Sequence, residues 1–158
     1  MAMMERLKQF LDASQVRYQV HTHSRANTAT AVAAADRIPL SEMAKVVLIR
    51  AGRQYMMAVL PASRRLDLAQ MRTATEEPDL ELASESEVGQ LFPDCETGAM
   101  PPFGNLFGLA VWVEDSLGRE TETVFNAGNH RQTVHMAFSD FARLVKPSFG
   151  ALARPLEG

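Results

Sequence analysis

Lys45 is the first residue whose type and position could support chemistry. The chain has three lysines against thirteen arginines, and this lysine opens the apolar run at residues 46–49. An ammonium group held against apolar strands must keep a partner or lose its proton. Lys45 could therefore bind a phosphate or a carboxylate, donate to a developing oxyanion, or act as a base. The alternative is a lysine at a strand end whose amine simply reaches solvent.

His130 is the second candidate, because it ends a Gly-Asn-His turn that starts at Gly128. A histidine in a loop is free to face a cleft, where it could bind substrate or move protons. It could equally be an ordinary surface residue. Cys95 is a poor candidate for a nucleophile, since no histidine neighbours it in the sequence. The chain contains no Gly-x-Ser-x-Gly elbow, no phosphate-binding glycine loop and no paired-cysteine motif.

His21 and His23 alternate along a predicted strand and so share one of its faces. A metal could use that spacing. The sequence names no third ligand beside them, so a polar strand face is the favoured interpretation. Neither a metal site nor a cofactor is predicted.

A stiff apolar loop is predicted over the sequence Gly98-Ala99-Met100-Pro101-Pro102-Phe103-Gly104. The two prolines fix φ and lack amide hydrogens, while the glycines allow close approach of the backbone. Such a loop could form one wall of a small pocket, with free amides near Gly98 as donors for a polar substrate group. It could also be a buried structural turn.

The elements that hold these residues follow from hydrophobic periodicity and turn signals. Helices are predicted up to Ser14, after Asn27 or Thr28, over Leu68 and Met71, after a capping box at Ser84, and after a cap at Ser139. Strands are predicted at 18–23, 45–49, 55–60, 80–82, 109–113, 123–125 and 132–138. The second and third strands should form a hairpin at the centre of the sheet. Residues 63–68 are predicted to be a polar turn, and the tail after Phe149 to be loose.

This order of elements predicts one α+β domain over residues 1–158, with its core at about 4–147 and a mixed, mostly antiparallel sheet. The net charge of −3 excludes general electrostatic binding of nucleic acid. The single cysteine cannot form an intramolecular disulfide and fits a reducing compartment. The N-terminus lacks the apolar core of a signal peptide, and no apolar run approaches transmembrane length. A cytoplasmic protein without a membrane partner is expected.

Three separated motifs resemble those of the YbaK/prolyl-tRNA synthetase-associated domain family. They are Ala44-Lys45-Val46-Val47-Leu48-Ile49, the loop from Gly98 to Gly104, and Phe125-Asn126-Ala127-Gly128-Asn129-His130. The similarity covers almost the whole chain, from the first helix to Pro147. This family resembles the editing domain of bacterial prolyl-tRNA synthetase, and it includes freestanding deacylases that hydrolyse mischarged aminoacyl-tRNAs.

The resemblance implies an α+β fold around a pocket, and hydrolysis of the ester that joins a small amino acid to the terminal adenosine of tRNA. It implies no protein nucleophile, because backbone groups place a water and the ribose hydroxyl assists. The implied catalytic residues are Lys45, Gly98 and His130. The implied substrate-binding residues are Met100, Pro101, Pro102, Phe103, Gly128 and Val46. Some relatives carry a polar residue at the position of Val46, which leaves the preferred amino acid open.

The expected partner is the acceptor end of a mischarged tRNA, and the acidic balance favours recruitment by an aminoacyl-tRNA synthetase or an elongation factor. Two other classes stay open. A non-catalytic module of this fold would bind tRNA ends or amino-acid-like ligands without turnover. A cysteine- or metal-dependent hydrolase would lose activity when Cys95 is changed or a chelator is added.

Overall fold

Short strands and short helices alternate along residues 2–156, the part of the chain that the computed structural model describes. The helices are Met3–Ala13 (α1), Ala29–Ala35 (α2), Leu68–Thr75 (α3), Glu85–Leu91 (α4) and Phe138–Val145 (α5). The strands are Tyr18–Thr22 (β1), Ala44–Ala51 (β2), Gln54–Pro61 (β3), Arg64–Leu66 (β4), Glu81–Leu82 (β5), Ala110–Glu114 (β6), Glu122–Asn126 (β7), Gln132–Ala137 (β8), Ser148–Gly150 (β9) and Ala153–Pro155 (β10). None of the helices within residues 2–156 is long and apolar enough to cross a membrane.

β2 and β3 lie at the centre of a five-stranded sheet with the order β5-β2-β3-β6-β9. They form an antiparallel hairpin, which confirms the predicted one. Its turn is tight, and Gly52 there has a φ of +63°, in the left-handed region that glycine tolerates best. β6 pairs in parallel with both β3 and β9, whereas the other ladders between named strands are antiparallel. This pattern confirms the predicted α+β fold.

A second sheet of three antiparallel strands has the order β1-β8-β7. One parallel bridge between Met43 and Val124 joins it to the start of β2. The amide of Val124 donates to the carbonyl of Glu42 over 3.0 Å at the same place. The junction therefore sets the beginning of the Lys45 strand beside the strand that leads to His130.

Aromatic side chains fill the core between the two sheets. Phe103 is fully buried, and its ring meets those of Phe10, Phe125 and Phe141 at centroid distances between 5.3 and 5.9 Å. The opposite face of the three-stranded sheet is covered by α2, which buries Val32 there. The Gly98 loop is thus anchored from within by one of its own side chains.

Local start signals at Thr28 and Ser84 identify two helices correctly, and the helix predicted over Leu68 and Met71 is also present. Thr28, Asp67 and Ser84 each accept a hydrogen bond from the first turn of the helix that follows, and Ser84 forms the predicted capping box with Glu87. The prediction for Ser139 is wrong. The last helix already begins at Phe138, directly after β8, with Ala137 at the capping position and no side-chain cap.

Two segments predicted to be irregular are strands instead. Residues 64–66 form β4, and the tail forms β9 and β10, with β10 paired to β4. Leu152 in this tail is fully buried. Each of these strands has only three residues, too few to show alternation, so their pairing depends on distant partners that no local pattern reveals. The structured part of the domain therefore extends past residue 147.

Candidate active site

The Gly98 loop and the turn before His130 are joined by hydrogen bonds into one unit. The amide of Gly128 donates to the carbonyl of Ala99 over 2.8 Å, and the amide of Glu96 donates to the carbonyl of Gly128 over 2.8 Å. Gly98 has a φ of +82°, which a residue with a side chain rarely adopts. The structure therefore brings together Gly98, Gly128 and His130, as the resemblance implied.

The backbone of this loop offers donors that the fold does not use. Within residues 2–156, the amides of Gly98 and Met100 donate no hydrogen bond to a main-chain carbonyl. Pro101 and Pro102, which follow, have no amide hydrogens, so the donors of this stretch are confined to its first half. An amide donor held rigidly by a loop is suited to stabilise an oxyanion.

The side chains of the loop are mostly turned inward. Met100, Pro101, Pro102 and Phe103 are buried, whereas Gly98 is exposed. Phe103 lies in the aromatic core, so its side chain holds the loop in place. The proposed roles of these four residues in substrate binding stay predictions.

His130 is fixed by the loop that it faces. Its Nε2 lies 2.7 Å from the carbonyl oxygen of Thr97. A carbonyl only accepts, so Nε2 carries the hydrogen and Nδ1 of the neutral ring is left as an acceptor. The residue is 5% exposed, and within residues 2–156 no protein group bonds to Nδ1. Leaving such a buried acceptor unpaired costs about 1–3 kcal/mol, a cost that substrate binding could relieve.

Glu96 is a functional candidate that the sequence analysis missed. Its Oε2 accepts a hydrogen bond from the amide of His130 over 3.0 Å. The same oxygen forms an ion pair with Arg25 at 3.1 Å. Burial opposes ionisation, but the bonds from Arg25 and His130 together hold the pKa of Glu96 below its ordinary value. Its position directly before the Gly98 loop was the available signal. Its partners, however, lie far away in the sequence.

Gly128 is required by its own packing. Its φ is +96°, and a Cβ atom at this position would lie 2.7 Å from Cβ of Met3 in α1. Asn129 closes the same turn, because its Oδ1 accepts the amides of Arg131 and Gln132, each over 2.8 Å. The close contact with Met3 shows what this glycine does structurally, and its predicted contact with substrate stays a prediction.

Lys45 lies on β2 opposite Leu60 and is half-buried. Burial and the nearby charge of Arg65 hold the pKa of Lys45 below its ordinary value, and within residues 2–156 no carboxylate pairs with its ammonium group. Val46 packs against the main core on the opposite face of the strand, which separates it from Lys45. The structure gives no hydrogen bond between Lys45 and the Gly98 loop.

Strand register relates Lys45 to the His130 turn instead. Met43 and Val124 form the parallel bridge, and Lys45 and Asn126 each lie two residues further on in the same direction. Because side chains alternate along a strand, Lys45 and Asn126 point to the same face as Met43 and Val124. Asn126 is only 7% exposed, and its Oδ1 accepts nothing within residues 2–156. Asn126 lies within the third motif of the resemblance, but its sequence position alone predicts no role for it.

His21 and His23 bond to different partners. His21 Nδ1 lies 3.1 Å from Asp36, while His135 Nε2 lies 2.9 Å from the same carboxylate. These three residues offer ligand atoms within 4.8 Å of one another, the spacing of a metal site. Thr133 also donates to Asp36 over 2.6 Å, so the carboxylate is already satisfied by its neighbours. His23 bonds instead to the carbonyl of Ser24.

Cys95 shows no sign of activation. Burial, and then the nearby carboxylate of Asp94, raise the pKa of its thiol to about 12. A thiol with this pKa is almost wholly protonated at neutral pH. It is therefore unsuited to act as a nucleophile.

Comparison with known proteins identifies the family of this chain. The family model described as aminoacyl-tRNA editing domain matches residues 23–144. A protein of Escherichia coli K12 named multifunctional Ser/Thr-tRNA deacylase ProXp-y is 28% identical over 148 residues, which cover 90% of this chain and 88% of the relative.

Solved structures show the same fold. A protein described as a candidate trans-editing enzyme for prolyl-tRNA synthetase aligns with a TM-score of 0.82 at 19% identity, over 96% of this chain and 97% of its own. The hypothetical protein APE2540 aligns with a TM-score of 0.84 at 15% identity, over 94% of this chain and 99% of its own. The family match includes all three motifs that carried the resemblance, and so this chain belongs to the aminoacyl-tRNA editing domain family.

Proposed function

We propose that this protein is a trans-editing aminoacyl-tRNA deacylase, which hydrolyses the ester between a small amino acid and the terminal adenosine of a mischarged tRNA. The observation that carries the proposal is the hydrogen-bonded unit of the Gly98 loop and the His130 turn. It presents main-chain amides and a fixed imidazole but no activated nucleophile. Membership of the editing domain family supports the same reaction.

Water is the nucleophile in this scheme. Its oxygen bonds to the carbonyl carbon of the ester, and the carbonyl oxygen becomes an oxyanion. The bond from that carbon to the ribose oxygen then breaks, one water proton passes to the ribose oxygen, and the other leaves with the carboxyl group. An aminoacyl ester is already activated, so placing the water and stabilising the oxyanion suffice.

The amides of Gly98 and Met100 are suited to donate to that oxyanion, since nothing on the main chain of residues 2–156 accepts from them. Removing one such donor typically lowers the rate by about 10²–10³-fold. His130 holds the loop through Thr97 and presents Nδ1 as an acceptor. Cys95 takes no part.

Lys45 holds the tRNA end or the ester. Its ammonium group has no carboxylate partner within residues 2–156, and its partial burial strengthens an interaction with an anion. The terminal phosphates of tRNA supply such anions. With a net charge of −3, the protein depends on local contacts of this kind rather than on its overall field.

Serine and threonine are the amino acids named for the Escherichia coli relative, and we infer that this chain also removes small hydroxylated amino acids. Pocket size alone discriminates weakly, because one methylene is worth about 1–3 kcal/mol. The acceptor end of tRNA is the expected partner. Recruitment by a synthetase or an elongation factor stays a prediction.

Deacylation of a panel of aminoacyl-tRNAs tests the function directly. The panel crosses glycine, alanine, serine, threonine, cysteine and proline with tRNAs of matched and unmatched identity. We expect rapid hydrolysis of seryl- or threonyl-tRNA and slower hydrolysis of the acyl groups that lack a hydroxyl. If no member of the panel is hydrolysed although the tRNA end still binds, the deacylase function is contradicted and a binding module of the same fold is favoured.

A further inference from the structure

Three buried side-chain atoms near the His130 turn have no hydrogen-bond partner within residues 2–156. They are His23 Nε2, Asn126 Oδ1 and His130 Nδ1, and no other buried side-chain nitrogen or oxygen in that range is unpaired. Buried polar groups in folded proteins are nearly always paired. Three exceptions in one region therefore call for a ligand that supplies the missing partners.

All three atoms are acceptors. His23 Nδ1 lies 2.6 Å from the carbonyl oxygen of Ser24, so Nδ1 carries the hydrogen and Nε2 has the lone pair. His130 has the opposite arrangement, since Nε2 donates to Thr97 and Nδ1 has the lone pair. Asn126 contributes an amide oxygen. The missing partners are consequently hydrogen-bond donors.

Strand register places two of these acceptors, those of His23 and Asn126, at one end and on one face of the three-stranded sheet. Thr133 pairs with His21 on one side and with Asn126 on the other, so these three side chains share a face. His23 is two residues beyond His21, and its amide continues the ladder by donating to the carbonyl of Arg131 over 2.8 Å. Alternation therefore returns the His23 side chain to the face of Asn126.

His130 belongs to the turn at the same end of the sheet. Its carbonyl accepts the amide of Ala26 over 3.1 Å, so the segment from His23 towards α2 lies against this turn. The Oε2 atom of Glu96 lies 3.9 Å from His130 Nε2. This negative charge makes the ring a better acceptor for a cationic donor.

We propose that His23, Asn126 and His130 form the receptor for the α-ammonium group of the aminoacyl ester. An ammonium group has three N–H donors and a positive charge, which matches three acceptors backed by a carboxylate. A ribose hydroxyl offers a single donor and no charge. The inference rests on the proposed function, because it assigns the part of the same site that reads the amino acid.

The test compares two non-hydrolysable ligands of 3′-amino-3′-deoxyadenosine. One carries serine in amide linkage, and the other carries 2,3-dihydroxypropanoic acid, in which a hydroxyl replaces the α-amine. Calorimetric titration of the whole protein should show that the amine ligand binds at least tenfold more tightly. Equal affinities would overturn the inference.

Variants then locate the preference. His23→Ala and Asn126→Ala should each lower the affinity ratio of the two ligands at least threefold, whereas Asn126→Asp should raise it by adding negative charge. His21→Ala is the matched control, because it removes a histidine from the same face that already bonds to Asp36. Circular dichroism identifies the folded variants. A ratio unchanged in His23→Ala and either folded Asn126 variant contradicts the receptor.

The two hypotheses can fail separately. If seryl-tRNA and its 2-hydroxyacyl analogue are hydrolysed at equal rates, the ammonium receptor is contradicted while the deacylase function stands. The opposite outcome is a wild-type preference for the amine ligand that the variants reduce, with no hydrolysis of any aminoacyl-tRNA. It would support the receptor and contradict the deacylase function.

Discussion

Glu96 links the Gly98 loop to the rest of the candidate site through a single carboxylate. It receives the amide of His130 and the guanidinium of Arg25, which belong to the turn before β8 and the segment before α2. Both partners favour its ionised form, and this is why the pKa of Glu96 is lowered. The geometry of His130 therefore depends on a charge outside the motifs that identify the family.

We expect Glu96→Gln to lower the free energy of unfolding at pH 7, because the neutral amide loses the ion pair with Arg25. A carboxyl with a lowered pKa stabilises the fold above its unfolded pKa, and this contribution is lost as pH falls through the folded pKa. The difference between wild type and Glu96→Gln should therefore shrink as the pH falls below 4.5, the ordinary value for this group. Urea unfolding at pH 7 and pH 4 measures it, and a difference that grows at pH 4 would contradict the assignment.

The buried thiol of Cys95 leads to a second prediction. Because burial raises the pKa of its thiol to about 12, Ellman's reagent at pH 8 should label the native protein far more slowly than the urea-unfolded chain. Cys95→Ser should retain deacylation. Fast labelling that removes activity would instead favour the cysteine-dependent hydrolase.

Chemical type could be predicted at Lys45 and His130, because a rare lysine on an apolar strand and a histidine in a glycine turn are visible in one dimension. Glu96 and Asn126 could not be recognised in the same way. Their significance lies in the partners they have or lack, and those partners depend on tertiary structure. The same applies to His21, whose partners Asp36 and His135 are brought to it by α2 and β8.

At the scale of elements, α1 and the turn between β7 and β8 meet at Gly128. The contact leaves no room for a Cβ atom, which would lie 2.7 and 2.9 Å from Cβ and Cγ of Met3. Displacing either partner would move the Gly98 loop, because Gly128 bonds to Ala99. The contact of α1 with Gly128 thus helps to fix the position of the Gly98 loop, although α1 contributes no proposed catalytic residue.

Gly128→Ala should therefore lower the free energy of unfolding by about 2–5 kcal/mol, the sum of a positive-φ penalty and overpacking. Gly108→Ala is the matched control. Gly108 also has a positive φ, of +70°, but a Cβ atom there meets nothing within 4 Å. Its loss should be about 1–2 kcal/mol. Equal losses for the two variants would show that the contact with Met3 carries no cost.

Elements with local signals could be predicted and elements without them could not. Caps at Thr28 and Ser84 and the apolar runs of β2 and β3 mark their elements within a few residues. β4 and β10 carry no such mark. They are short, and what stabilises them is their pairing with each other across most of the chain.

At the scale of the whole molecule, the C-terminal segment completes the fold. Leu152 is fully buried in a cluster with Ile49, Ala58, Met71 and Leu80, on the side of the central sheet that α3 covers. The segment between β9 and β10 thus helps to cover the β2–β3 hairpin. The loose tail expected from the sequence is in fact part of the core.

Leu152→Ala should lower the free energy of unfolding by about 2–5 kcal/mol, as expected for a large buried side chain. Leu156→Ala, four residues on, is the control, because Leu156 is 42% exposed. Its effect should stay within about 0.5 kcal/mol. Urea denaturation of both variants measures the losses. If both losses of unfolding free energy are small, the original prediction of a loose tail would be supported.

Lys45→Ala decides whether Lys45, which has no carboxylate partner within residues 2–156, supports ester hydrolysis. The measurement is the single-turnover rate of seryl- and threonyl-tRNA deacylation with saturating protein, for wild type, Lys45→Ala and the exposed control Lys8→Ala. If Lys45 holds the substrate, Lys45→Ala should lose about 100-fold or more in rate with an unchanged circular dichroism spectrum, whereas Lys8→Ala should match wild type. A folded Lys45→Ala protein that hydrolyses both substrates at the wild-type rate would show that Lys45 takes no part in hydrolysis.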